Sequence, residues 1–190
     1  IGSNIGYFSK FAASLHPSAK IFAYEAVREN YKESLSLEEK YPNISFENKI
    51  LIGCERARAI LLHKSNLGGH KVVYGGEGAN SMNRFSPERQ NAALDCDETE
   101  QTTFLEILTS NKIDYVDFLK VDCEGCEYHV LDYIFKMSLE KRILNLSMEI
   151  HRGGPKNIEQ FKELILNLKN KFDRFDKKGS IIFCRNEMRK

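Results

Sequence analysis

Apolar residues recur along the chain at two spacings, and the alternation between them sets out an order of elements. Ile5, Phe8, Phe11, Ala12 and Leu15 fall at helical intervals and Pro17 follows as a stop, which predicts a helix over residues 5–15. Residues 19–26 (AKIFAYEA) form an apolar run of strand length, and residues 27–41, rich in Glu, Lys and Leu, read as the next helix. Residues 44–52 predict another strand, and residues 57–63 a further one, an antiparallel companion to it because so few residues separate the two. From residue 65 to residue 101 the pattern dissolves into Gly, Asn, Ser and charge, so a flap or insertion loop is expected there.

The periodicity then resumes. Residues 103–110 predict a short helix, and residues 115–121 (YVDFLKV) a buried strand that runs into Asp122. A helix is expected over residues 125–137, with Val130, Leu131, Ile134 and Phe135 as its apolar stripe. Residues 142–150 predict a strand and residues 157–172 an amphipathic helix, after which a turn near residues 176–179 leads into a last strand over 180–185. Strands alternating with helices in this way imply a single α/β domain over residues 1–190, with a mostly parallel sheet covered by helices on both faces. The chain opens on Ile1-Gly2-Ser3, a strand-to-turn sequence, so a first strand is expected upstream of residue 1.

Composition narrows the partners. With 28 Lys and Arg against 27 Asp and Glu, the formal charge of +1 draws the protein to neither nucleic acid nor an anionic membrane. Apolar stretches such as residues 59–62 are far too short to span a bilayer. The five cysteines are odd in number and lack framework spacing, which suits reduced thiols in a cytosolic protein. Cys123 and Cys126 share a C-x-x-C spacing, but Asp122, Glu124 and Glu127 crowd that spot with negative charge that opposes a thiolate. No second such pair completes a tetrahedral site, so no metal is expected.

In α/β sheets ligands bind beyond the carboxyl ends of the strands, which confines the search for chemistry to a few places. The first is Gly2-Ser3-Asn4-Ile5-Gly6, a turn opening a helix, where glycines permit close backbone approach; its plain alternative is a tight turn that packs helix on strand. Glu25 ends the second predicted element at the distance from those glycines where dinucleotide-type folds place an acid that accepts from ribose hydroxyls. A helix-start acid favoured by the macrodipole would also fit the position.

On the strand ending at Asp122, Phe118, Lys120 and Asp122 face one way, and a lysine inside a buried strand needs a partner among Asp122, Glu124 and Glu127. Glu124 and Glu127 otherwise read as first-turn helix acids. Glu149 and His151 point to one side of the next parallel strand, where a carboxylate and an imidazole together orient a hydroxyl and accept its proton. His16, His63, His70 and His129 have no such neighbourhood.

Taken together, IGSNIGYFS, KIFAYEAVREN and DFLKVDCEGCEYHVL resemble the motifs of the FkbM-type S-adenosylmethionine-dependent methyltransferases, with NKILIG and MEIH similar to two further family segments. The resemblance implies a Rossmann-like class I methyltransferase fold, a mostly parallel seven-stranded sheet whose first strand is missing from this chain. It also implies methyl transfer from S-adenosylmethionine to an oxygen of a small molecule, glycan or lipid. Gly2, Ser3, Asn4 and Gly6 correspond to the cofactor turn, Glu25 to the ribose ligand, and Asp122 to a residue near both the donor and the transferred methyl. Glu149 and His151 correspond to positions near that methyl as well, and Lys120 adjoins them. Cys54 departs from the pattern, standing where the family often has Asp after a Gly, and Glu106 is alone where family members carry two adjacent acids.

Two other readings share these features. A nicotinamide-dependent oxidoreductase would use the same turn and acid, but Asn4 stands where G-x-G-x-x-G needs its second glycine. A non-catalytic cofactor-binding module is the other.

Overall fold

The computed structural model describes residues 1–53, 99–151 and 158–187 in full, and residues 58–62 and 71–75 as backbone. Its elements in chain order are α1 (Tyr7–Leu15), β1 (Ile21–Glu25), α2 (Arg28–Glu38), β2 (Ile44–Leu51), β3 (Arg58–Leu62), β4 (Lys71–Gly75) and β5 (Glu100–Thr102). There follow α3 (Phe104–Ser110), β6 (Val116–Val121), α4 (Glu127–Lys136), a 3-10 turn (Leu139–Arg142), β7 (Ile143–Glu149), α5 (Ile158–Lys171), β8 (Arg174–Lys178) and β9 (Ile181–Arg185). They fall into two compact units, one built on residues 1–51 and the other on residues 102–187 with Ile52 and Gly53.

In the first unit β1 and β2 run parallel, with Ile21 opposite Ile44 and Glu25 opposite Asn48, in a sheet of order β1-β2-β5. A parallel pair needs a crossover, and α2 supplies it. Ala13 of α1, Ala23 of β1 and Ile44 and Phe46 of β2 form the core, with Tyr31 and Leu37 of α2 packed on it. The face that α1 buries carries Ser9 and Ala13, whereas Phe8, Phe11 and Leu15 of its predicted apolar stripe are exposed.

The second unit carries the order β6-β7-β9-β8. β6 and β7 are parallel, with Val121 opposite Met148, whereas β9 is antiparallel to both β7 and β8. Val121, Leu131, Ile134, Ile143, Leu146 and Ile182 are wholly buried at its centre. The predicted stripe of α4 is the buried one, and Gly53 packs so closely on that helix that a Cβ there would lie 2.7 Å from the His129 carbonyl oxygen.

The α/β class stands, but the single mostly parallel seven-stranded sheet does not. Among the described residues the strands form sheets of three, two and four, because no strand pairs with both β1 and β6. At the β1 edge the Tyr24 carbonyl is taken by the amides of Gly2 and Ser3, both at 3.0 Å.

Three local expectations also change. β3 pairs antiparallel with β4, Arg58 opposite Gly75, and not with β2. β4 falls inside the stretch expected to be a flap: its Lys-Val-Val-Tyr core has strand propensity, but the glycines on both sides mask the period. The rest of that stretch, residues 65–70 and 76–98, lies outside the described residues, as does Cys54.

β8 occupies residues where a turn was expected, and the turn itself sits at Gly179, with φ 63°. With four charged residues and only Phe175 apolar, this exposed strand has no hydrophobic alternation to read, and its charges suit the end of a sheet. Among the described residues no helix is long and apolar enough to cross a membrane.

Gly6 is held at φ 85°, and a Cβ there would meet Leu37 Cδ1 and Phe46 Cζ, both at 2.7 Å. Gly6→Ala combines a left-handed backbone with overpacking and is expected to cost about 2–4 kcal/mol. Urea unfolding checks this, and an unchanged midpoint would show that the turn relaxes freely.

Candidate functional site

The glycine turn of the first unit is built from positive-φ residues: Gly2 at 71°, Asn4 at 51° and Gly6 at 85°. Asparagine tolerates the left-handed region better than other non-glycine residues, which explains Asn4 where a dinucleotide motif has glycine. Its side chain accepts from the Ile5 amide at 2.7 Å.

Glu25 organises this turn. It is buried, with Oε2 accepting from the Asn4 amide at 2.7 Å and Oε1 from the Val27 amide at 2.9 Å. Asn48 Nδ2 donates to the Glu25 carbonyl oxygen at 2.9 Å and so fixes the end of β1. Each carboxylate oxygen retains acceptor capacity for a further donor. The Val27 bond supplies the helix-start role named as the alternative, so this acid does serve the backbone.

Ser3 Oγ is buried and has no hydrogen-bond partner. An unpaired buried hydroxyl is costly unless something else meets it. Gly6 is different: its missing side chain is demanded by Leu37 and Phe46, so the close approach there is made by the protein itself.

In the second unit the sequence-predicted groups converge beyond β6 and β7. Lys120 Nζ lies 2.7 Å from Asp122 Oδ2, giving the strand lysine the partner it requires. The chain then turns through Glu124 at φ 53° and Gly125 at φ 110°. That turn brings the Cα atoms of Cys123 and Cys126 to 5.4 Å, within bridging range, and the two form a disulfide. The expectation of reduced thiols is corrected here, because acidity of the neighbours bears on thiolates and not on a closed bridge. Cys184 is free, and burial with the nearby Asp176 pushes its thiol up to about 12.

Glu127, the first residue of α4, is fully buried. Its Oε1 accepts from the Cys123 amide at 3.2 Å and faces His151 Nδ1 at 2.6 Å. Since Oε1 already receives the amide, we assign Nδ1 as the donor, which leaves Nε2 on the other side of the ring. Burial raises the Glu127 pKa against the opposing effect of its hydrogen bonds and of His151. For His151, burial disfavours the charged ring, but the Glu127 bond and the charges of Glu127, Glu124 and Asp122 outweigh it, so its pKa lies above the ordinary value.

His151 Nε2 is 3.6 Å from Glu124 Oε1 and 3.7 Å from Asp122 Oδ1. Asp122, Glu149 and His151 each present one ligand-type atom, and the three lie within 4.8 Å of one another. Glu149 Oε1 accepts from Ser180 Oγ at 3.1 Å.

The residue that sequence reasoning undervalued is Glu127. The sequence suggests a first-turn helix acid or a partner for Lys120, yet Glu127 lies three and four positions before Val130 and Leu131 and therefore continues the buried stripe of α4. A carboxylate on a buried stripe needs a partner, and that was the available signal. Glu124 likewise faces His151 from the turn.

A family model described as Methyltransferase FkbM domain matches residues 1–175. Among curated proteins and among solved structures, nothing matches the chain.

The raised His151 pKa has a consequence for stability. A group whose pKa is higher in the folded state stabilises fully below its unfolded value of 6.5 and loses that contribution as pH climbs through the folded value. The stability difference between the parent protein and His151→Asn should therefore shrink as pH rises from about 6 to about 9. Urea unfolding across that range measures it, and a difference that grows with pH would contradict the assignment.

Proposed function

The chain belongs to the FkbM methyltransferase family, and from that premise we propose that it transfers the methyl group of S-adenosylmethionine to a hydroxyl oxygen of a small molecule, glycan or lipid. A methyltransferase it is by family; the donor, the oxygen acceptor and the residue roles are the proposal. The family assignment also sets aside the nicotinamide-dependent and non-catalytic readings.

Donor recognition is assigned to Gly2, Ser3, Asn4, Gly6 and Glu25, and the family resemblance assigns Asp122 to the donor as well. Two observations support a fit to the nucleoside: the unpartnered Ser3 Oγ, and the Glu25 carboxylate whose oxygens keep acceptor capacity beyond their two amides. S-adenosylmethionine would supply an electrophilic methyl on a sulfonium. The protein's part is to hold the acceptor oxygen in line with it and to take up the hydroxyl proton.

The observation that carries this second part is the 2.6 Å contact of buried Glu127 with His151 Nδ1. It fixes the ring so that Nε2 faces Asp122 and Glu124, and with Glu149 and the Lys120 ammonium these groups offer both acceptors and a charge that orient a hydroxyl. In this reading Asp122, Glu149 and His151 hold the acceptor and the cluster receives its proton, while Lys120 tunes Asp122. Glu127 is a positioning residue.

Two measurements test the assignment. Ser3→Ala removes a hydroxyl with no internal partner, so the fold should keep its unfolding midpoint while calorimetry shows S-adenosylmethionine binding weakened by about 0.5–1.5 kcal/mol. Equal affinity would remove Ser3 from the donor site. For the reaction, methyl incorporation from labelled donor is scored on panels of glycans, lipids and hydroxylated metabolites. Asp122→Asn, Glu149→Gln and His151→Asn should then separate: the proton acceptor loses roughly 100- to 10,000-fold in turnover, and orienting groups raise the Michaelis constant. Parental rates in all three would overturn the proposed site.

A further inference from the structure

The group of Asp122, Glu149 and His151 has a property that proton transfer alone does not require. Four carboxylates, those of Asp122, Glu124, Glu127 and Glu149, gather around one imidazole, and the Lys120 ammonium is the cation seen paired among them, on Asp122 Oδ2. Oε2 of Glu127 is fully buried and has no hydrogen-bond partner, while Oε1 of the same carboxylate meets the imidazole at 2.6 Å. A carboxylate charge is expensive to bury unless a cation lies near. His151, with Nδ1 given to Glu127, turns the lone pair of its neutral ring toward Asp122 Oδ1 and Glu124 Oε1. Acceptors facing one another at 3.6 and 3.7 Å repel unless something positive stands between them.

We propose that Asp122, Glu149 and His151 form a binding site for a divalent first-row metal ion such as Mn2+ or Zn2+, with Glu127 orienting the imidazole ligand from behind. The ligand types fit this class, since carboxylate oxygens suit Mn2+ and imidazole suits Zn2+ and its neighbours. The distances approach what such an ion requires. Nitrogen and oxygen ligands lie about 2.0–2.2 Å from such an ion and therefore roughly 3–4 Å from each other, and the three atoms here already lie within 4.8 Å. A carboxylate that receives the outer N–H of a ligating histidine is the usual second contact in metal sites, fixing the tautomer and raising ligand basicity. Lys120 occupies Oδ2 of Asp122 and leaves Oδ1, the atom facing His151, to the ion.

Three protein ligands leave coordination positions open. Resting on the proposed methyl transfer to oxygen, the open positions would take the acceptor hydroxyl. The ion would lower the pKa of that hydroxyl; as the oxygen lone pair forms the new C–O bond, the methyl–sulfur bond of the donor breaks and its electron pair leaves on the neutral thioether sulfur, while the hydroxyl proton passes to a group of the cluster. The favoured acceptors are then those with two neighbouring oxygens that can chelate, such as vicinal diols.

The test uses Mn2+ as the probe on the whole chain freed of metal by a chelator. Titration followed by electron paramagnetic resonance should show one saturable site, and its pulsed spectrum should show coupling to a single imidazole nitrogen. That coupling should vanish in His151→Asn, and saturable binding should be lost in Asp122→Asn and in Glu149→Gln, with circular dichroism confirming that each variant folds. Glu127→Gln should weaken binding roughly 10- to 100-fold while keeping the nitrogen signal. No saturable binding, binding without nitrogen coupling, or binding indifferent to Asp122→Asn and Glu149→Gln would each overturn the site. S-adenosylmethionine binding is measured separately on the metal-free protein. Donor binding without a Mn2+ site removes the ion alone, and a nitrogen-coupled Mn2+ site without donor binding removes the methyl-transfer reading alone.

Discussion

The second unit depends on a carboxylate that α4 carries into its own buried face. Glu127 leads the stripe that Val130, Leu131 and Ile134 continue, so the burial of that helix face fixes where the acid sits. From there it receives the Cys123 amide of the turn after β6 and the His151 ring beyond β7. One buried side chain therefore ties two parallel strand ends together. Without it, the imidazole would be free to rotate and the relation of Nε2 to Asp122 and Glu124 would be lost. The helix is long enough in contacts to hold the acid, and the acid in turn gives the helix N-terminus its anion.

The first unit uses the same device. Glu25, buried at the end of β1, takes the Asn4 amide of the glycine turn and the Val27 amide at the start of α2. In both units a buried carboxylate beside a parallel strand end fastens the adjoining turn by accepting a backbone amide from it. Each remains available on another side, Glu25 through its remaining lone pairs and Glu127 through the ring it directs. Placing such acids where helices begin uses the macrodipole to hold charge that burial would otherwise oppose. What separates the two is the outward face: the glycine turn presents an unpaired Ser3 hydroxyl, and the second unit presents a concentration of negative charge.

How much of this was legible before the structure follows from the physics of each element. Helices α3, α4 and α5 and strands β1, β2, β6, β7 and β9 were legible as periodic or continuous apolar stretches, α2 from its Glu, Lys and Leu content, and α1 from a stripe of which Phe8, Phe11 and Leu15 are in fact exposed. β8 was not, since an exposed, charged strand carries no such period, and β4 was hidden by the glycines around it. Division into separate sheets could not be seen, because strand pairing is a matter of which edges meet and leaves no mark on the residues of either edge. Within the site, Lys120, Asp122, Glu149 and His151 were legible from alternation at strand ends. Glu127 was missed because its position was judged by distance from the helix start and not by the stripe it belongs to. The Cys123–Cys126 bridge was missed because nearby acids were weighed against thiolates, whereas the left-handed turn at Glu124 and Gly125 decides whether the two sulfurs can meet.

The central claim is that Glu127 holds His151 with its proton on Nδ1, so that Nε2 is the atom offered to the site. Nitrogen-15 NMR of the histidine rings reads this directly, since protonated and unprotonated ring nitrogens resonate far apart and each ring can be followed with pH. The account predicts that neutral His151 is protonated at Nδ1, that it takes up its second proton at a higher pH than an ordinary histidine, and that Glu127→Gln removes the upward shift. A neutral ring protonated at Nε2, or a titration unchanged by Glu127→Gln, would contradict it.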